Sequence, residues 1–474
     1  MKTNGTTAAP PVSPRDGRAI IAVIVITMMF NGFMVTLMSV ALPTIARTYH
    51  VSVAQANWIV LAFAIVAATV ITMGARFLQR WGLKRLMIVA TGCMAAGGIV
   101  GTFATDYFGI MAARLLHAIA AGLLYPTAST SIMRAAPPER RTFSLSLKTA
   151  AGGIGFALSP FLSGLILTRF GVNAMFLPTA AMGLLCLIGS ILFVKPIGEK
   201  LTTPQPIDVP SALLAFVGLG CAMFGISELN HQLVIALPLM VGGCAVLGLF
   251  AHRQSRLNVP LLDLRPLADK TFLVGVLLVM FSSFAEHALR LTVPLYLEGA
   301  VGLAASAAGL FMLAPQLAYA ASAMVAGKIV DRHGIWPLVP IGFAIIVAGL
   351  AALWGLAEGR AIVALLAIVF VILAGVGTET APNRETALAH LSPDQLAAGS
   401  SISSVFVQLA SALSSALLVG YFTNDVAAHV HEGMVEANAY VSGFESTMAI
   451  ALVIEAIMLL VAILYARRAR KRTP

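Results

Sequence analysis

Charge is scarce in this chain: Lys, Arg, Asp and Glu make up 11% of its 474 residues, against about 25% in an ordinary soluble domain. With 59% apolar residues and a mean hydropathy of +0.92, a soluble fold is excluded. Cysteine is also sparse. Cys93, Cys186, Cys221 and Cys244 all fall inside apolar runs without metal-like spacing, which excludes a disulfide framework or a zinc site; no metal or organic cofactor is expected. A phosphate-binding G-x-x-x-x-G-K-[ST] loop is missing, so an ATP-driven pump is not indicated. No loop reaches the size of a folded domain, the longest external one being read at roughly 424–443. That argues against a membrane-anchored enzyme or large receptor. The formal charge of +10 is spread over short loops rather than gathered in one patch, so nucleic acid is rejected as a partner.

What the chain has is long apolar runs. About 20 apolar residues carry a helix across a bilayer. The run at roughly 19–43 is too long for the core of a signal peptide, about 7–15 residues, and is read as the first crossing. Further crossings fall at roughly 57–75, 86–104, 107–131, 142–168, 172–194, 210–228 and 233–251. A second group falls at roughly 271–297, 303–327, 335–356, 361–382, 397–423 and 444–466. This predicts an all-α polytopic membrane protein of about fourteen crossings with both termini on one side. By these spans about 25 of the 30 Lys and Arg residues lie in loops and tails on that side, which makes it cytoplasmic. About three (Arg47, Arg169, Arg360) lie opposite, and Arg114 and Arg290 are intramembrane. The organisation read is a cytoplasmic tail 1–18, a six-helix half 19–194, a linker 195–270 with two extra crossings, a second six-helix half 271–466 and a basic tail 467–474. The ARRARKR run at 466–472 is an interface anchor.

Repetition supports the two halves. The turn GKIVDRHG at 327–334 is echoed by ARFLQRWG at 75–82, each placed after one apolar run and before another. The G-x-x-x-D-R-x-G pattern resembles the conserved loop signature of the major facilitator superfamily. In the first copy Ala75 replaces its Gly and Gln79 its Asp, while Arg80 and Gly82 remain. The resemblance implies a gating role for Arg80, Gly82, Gly327, Asp331, Arg332 and Gly334. Other stretches are similar to the fourteen-helix drug:proton antiporter branch: TLMSVALPTIA at 36–46, RLLHA at 114–118, GFALSPFLSG at 155–164 and PLLDLR at 260–265. It implies the major facilitator fold, antiport linked to Gly155, Pro160 and Gly164, and proton handling by Arg114. There are departures. Met34 stands where the branch usually has an acid, and Ser39, His117 and Ala118 replace its Asn, Gln and Gly.

Independently of any family, the densest polar group inside an apolar run is SSFAEHALR at 282–290. A charge at the bilayer centre costs roughly 2.5–3.5 kcal/mol. Glu286 and Arg290, four apart, share a helix face and offset part of that cost by pairing. Glu286, His287 and Arg290 are therefore candidates for substrate and proton coupling, with a structural ion pair as the other reading. Arg114 with His117 is the second candidate constellation, His117 alone also reading as a packing residue. Asn31, Phe33, Phe284 and Tyr319 are candidates for the pathway wall, alongside ordinary packing. Glu379, Arg384 and Glu385 fall near a predicted helix end and read as interfacial. Glu455 lies deep in the last span without an evident role.

The expectation is a carrier of the cytoplasmic membrane, monomeric, exporting a small amphipathic compound against protons by alternating access and performing no enzymatic reaction. Two alternatives stay open: an exporter of one metabolite such as a sugar or siderophore, and a non-transporting membrane sensor or assembly partner.

Overall fold

The computed structural model describes residues 13–38, 41–196, 208–229, 232–333 and 338–470. Among them the chain is helical with short connections. The first group is α1 (Pro14–Thr36), α2 (Leu42–Thr48), α3 (Val53–Thr102), α4 (Tyr107–Ala135), α5 (Arg141–Ala174) and α6 (Phe176–Phe193). A pair follows, α7 (Val209–Glu228) and α8 (Leu233–Arg256). The last group is α9 (Lys270–Gly299), α10 (Ala305–Phe311), α11 (Leu313–His333), α12 (Leu338–Leu356), α13 (Ile362–Ala389), α14 (Leu396–Ser414), α15 (Gly420–His431) and α16 (Glu436–Arg470). Polar caps set several starts. Ser52 and Gln55 form a reciprocal capping box at α3, while Asp106 and Asp269 accept backbone N–H groups opening α4 and α9. Each satisfies donors that the first helical turn leaves orphaned.

Among the described residues, thirteen helical segments are long and apolar enough to cross a membrane. The segment within α3 counts twice. At about 1.5 Å per residue a 50-residue helix is roughly 75 Å long, more than twice a hydrocarbon core of about 30 Å. Gly82, at φ 72°, breaks it into two crossings; a side chain there would be strained in the left-handed region. Fourteen crossings result, as the hydropathy pattern predicts. The turn at 75–82 is thus a sharp reversal of an otherwise continuous helix.

One expected loop is much shorter than read. The segment at 424–443 is mostly helix, since α15 continues to His431 and α16 begins at Glu436. Hydropathy ends where the apolar run ends, but backbone hydrogen bonding does not. Asp425 and His429 on adjacent turns, 3.4 Å apart, carry the polar extension.

Packing differs between the two ends of the bundle. At the end carrying the basic turns, a single apolar cluster joins both halves, with Leu78, Leu86, Ile132 and Leu145 packed in one group with Phe272, Val276, Leu388 and Ile402. Ser400 on α14 donates to the Pro126 carbonyl of α4 at 2.9 Å across the same boundary. Gly327 on α11 lies so close to α5 that an added Cβ would be 3.0 Å from the Phe143 Cα. At the other end the clusters are separate, one holding only first-group residues such as Leu37, Ile45 and Phe176, the other only last-group residues such as Leu289, Tyr296 and Phe444. The bundle is closed at the basic end and parted at the other.

Candidate functional site: a charged cavity between the halves

The parted helices enclose a cavity of about 610 Å³. Asn57 and Thr423 mark its exposed mouth, whereas Lys148, Ser404 and Thr380 lie buried at its inner end. Both halves contribute to the wall. So does α7, through Met223 and Ser227, because it wedges against α3 and α14 in a small apolar cluster of its own and sets the Phe224 ring, tilted, 5.2 Å from Trp58. In the sequence the pair is a linker with two extra crossings, and nothing in it marks a cavity face.

Glu286, His287 and Arg290 all line the cavity. Glu286 lies 3.5 Å from Arg290 on the next turn and 3.0 Å from the His287 Nδ1, and it accepts from the Gln316 side-chain amide of α11 at 3.2 Å. The His287 Nδ1 also faces the Ser283 carbonyl at 2.7 Å, so it carries a hydrogen in that contact. The Arg290 guanidinium lies over the Phe156 ring of α5 at 4.9 Å, reaching from one half to the other. A single side of α9 therefore presents a carboxylate with three polar neighbours of differing charge. Gln316 carried no signal in the sequence.

Arg114 is elsewhere. It is buried behind the wall, donating to the Met34 carbonyl at 2.9 Å and the Val35 carbonyl at 3.4 Å, with the Phe63 ring 4.2 Å from its guanidinium carbon. Those carbonyls belong to the last turn of α1, which ends at Thr36, where acceptors have no partner within the helix. Arg114 thus caps α1 from the side. His117 is fully buried, stacked on Phe176 at 5.9 Å, and does not line the cavity.

Of the wall candidates, Tyr319 lines the cavity. Asn31, Phe33 and Phe284 do not; each is at most 2% exposed and packed into the helix interior, because the faces that carry them turn toward neighbouring helices. In α5, Gly155 faces α1 so closely that a Cβ would strike the Met29 carbonyl, whereas a Cβ on Gly164 would meet nothing. Pro160 lies within α5, ahead of the break at Gly171. Arg80 sits half-buried beside the Gly82 turn. Asp331 and Arg332 belong to the last turn of α11, with side chains outside the described residues, as is Gly334 altogether.

The reading of Glu379 and Arg384 as interfacial is corrected. Because α13 runs on to Ala389, Glu379 is fully buried, hydrogen-bonded by Thr380 at 3.1 Å and by Asn383. Arg384 lines the cavity and donates to Ser404 at 2.8 Å. Lys148, inside the predicted crossing 142–168 but not singled out there, is likewise a cavity residue, 4% exposed. Glu455 is fully buried with neither carboxyl oxygen hydrogen-bonded.

Two helical halves closed at one end around a charged central cavity, with an extra helix pair between them, define a membrane carrier rather than an enzyme. The family model described as Major Facilitator Superfamily matches residues 24–415 and 272–474, and the chain belongs to that superfamily. It is 24% identical over 404 residues to the lincomycin resistance protein LmrB of Listeria monocytogenes, covering 84% of this chain and 85% of that protein. It is 23% identical over 409 residues to the riboflavin transporter RibZ of Clostridioides difficile, covering 85% and 89%. The fold matches that of the human organic anion transporter MFSD10 with a TM-score of 0.67 at 13% identity, covering 94% of this chain and 99% of that one.

Proposed function

We propose that this transporter exports small amphipathic compounds across a bacterial cytoplasmic membrane in exchange for protons, its two halves (19–194 and 271–466) rocking about the central cavity. Drug-resistance relatives support export. The observation that carries the reading is Glu286. It is a carboxylate in the cavity wall, held by groups on its own helix and on α11, at a place substrate and proton can both reach from the mouth. A protonated Glu286 would give up its proton as substrate occupies the cavity and Arg290 pairs with the carboxylate, so that the two ligands compete through one group. Arg114 and His117 stand behind the wall and act in this scheme through the end of α1. The turns holding Arg80, Gly82, Gly327, Asp331, Arg332 and Gly334 gate the closed end, where Gly327 already touches α5.

The test is substrate-driven proton movement in proteoliposomes with an imposed pH gradient, for wild type and Glu286→Gln. The expected result is a substrate-dependent proton signal in wild type that disappears in the variant, with substrate binding retained. An unchanged signal in Glu286→Gln removes Glu286 from the coupling path.

A further inference from the structure

The inner end of the cavity holds cations without counter-ions. Lys148 on α5 is 4% exposed, and its hydrogen-bond partner is a neutral one, the Ser129 hydroxyl at 2.8 Å. Arg384 on α13 donates to the Ser404 hydroxyl, and its Nε has no partner. Among the described residues no carboxylate stands within ion-pair distance of either. The nearby acids are already engaged, Glu286 by Arg290 and His287 and Glu379 by Thr380 and Asn383. Lys148 and Arg384 line the same cavity, one from α5 and one from α13. Tyr125 and Tyr319 share the same cavity wall.

Such an arrangement is costly for an empty carrier. A buried ion is tolerated when paired and hydrogen-bonded, and a charge inside a membrane span ordinarily faces a partner or a pathway. Here two like charges from opposite halves converge at the end where those halves are closed together. Counting the cavity wall, Lys148, Arg290 and Arg384 oppose the one carboxylate of Glu286, a formal excess of two positive charges with His287 neutral.

We infer that the transported compound is an anion, and that its carboxylate, sulfonate or phosphate group docks between Lys148 and Arg384 while its apolar body lies toward Phe156 and Met223. This deepens the export function proposed above and rests on it, but it does not rest on proton coupling. A guanidinium and an ammonium from different halves give an anion charge-assisted hydrogen bonds from both sides. The tyrosine hydroxyls offer further donors. The anion removes the repulsion that opposes closure of the inner end, so its binding favours the conformation with that end shut.

The experiment is a thermal-melting titration of the purified full-length carrier in detergent with three probes sharing one aromatic body: 2-naphthoate, 2-naphthamide and 2-naphthylmethylammonium. The expected result is stabilisation of wild type by the carboxylate in preference to the other two. Lys148→Met and Arg384→Met should each shift the naphthoate concentration dependence by at least about tenfold, the scale of one charge-assisted contact, and Lys148→Arg should retain it. Without any probe, Lys148→Met should melt higher than wild type, because it removes an uncompensated buried charge. The inference is overturned if the ammonium probe or no probe protects wild type. It is equally overturned if naphthoate protection is unchanged in the Met variants, or if Lys148→Met lowers the unliganded melting temperature. Failure of proton coupling would show separately, as an unchanged liposome signal in Glu286→Gln, and would leave this titration unaffected.

Discussion

Arg114 and Lys148 are both cations buried in the first half of the bundle, yet they are held in opposite ways. Arg114 has two backbone carbonyls and an aromatic face; Lys148 has one hydroxyl. The first is consumed by the fold, because the end of α1 needs donors that the helix cannot supply. The second is left available at the inner end of a cavity. Burial alone therefore does not mark a functional charge, whereas burial with unspent bonding capacity beside a cavity does.

The sharpest way to break this comparison is to remove Arg114. Arg114→Met strands the buried Met34 carbonyl and takes a donor from the carbonyl of Val35, a cavity residue, and a buried unsatisfied acceptor costs about 1–3 kcal/mol. A loss of about 3 kcal/mol, read as a large drop in melting temperature and in yield of folded protein, is expected. The opposite sign is expected for Lys148→Met, so the pair should move apart in one assay; movement together would dissolve the distinction.

A smaller effect sharpens the same contrast in glycine. Gly155→Val forces a side chain against the α1 backbone, and overpacking of this kind costs about 1–3 kcal/mol. Gly164→Val, where a Cβ meets nothing, should leave the melting temperature near wild type. Both belong to the same sequence motif, and unfolding in detergent tells them apart.

The least effect belongs to the rim. Arg253 bonds the Asp208 carboxylate at 3.0 Å and holds its pKa below the usual carboxylate range. Because the folded value is the lower one, this contribution is present above about pH 4, the unfolded value, and is lost as pH falls through the folded one. Surface pairs contribute about 0–1 kcal/mol, so Asp208→Asn should lower the melting temperature slightly at pH 7 and have less effect at pH 3. An Asp208→Asn effect as large as that of Arg114→Met would place surface and interior charges on one scale.

Much of this was legible in the sequence. The crossings follow from apolar runs near twenty residues, since only a helix satisfies its own backbone in lipid. Glu286, His287 and Arg290 were visible because a cluster of ionisable residues with two opposite charges inside an apolar run is expensive enough to need a reason. Lys148 and Arg384 were not, because they lie close to span ends, where hydropathy cannot distinguish a residue at the interface from one turned into a cavity. Glu379 was misplaced for the same reason: α13 continues past the point where its apolar composition stops. The part of the wall built by α7 left no trace in sequence, since a helix that touches a cavity with one methionine and one serine reads like any other span.

Sequence alone determined that the chain is a many-helix membrane protein built from two related halves, because the cost of exposing backbone or charge to lipid is large and local and acts on each segment separately. The tertiary structure alone decided which buried charges are consumed by the fold and which face the cavity. That depends on the partners brought by other helices, on how the halves close at the basic end, and on which face each helix turns inward.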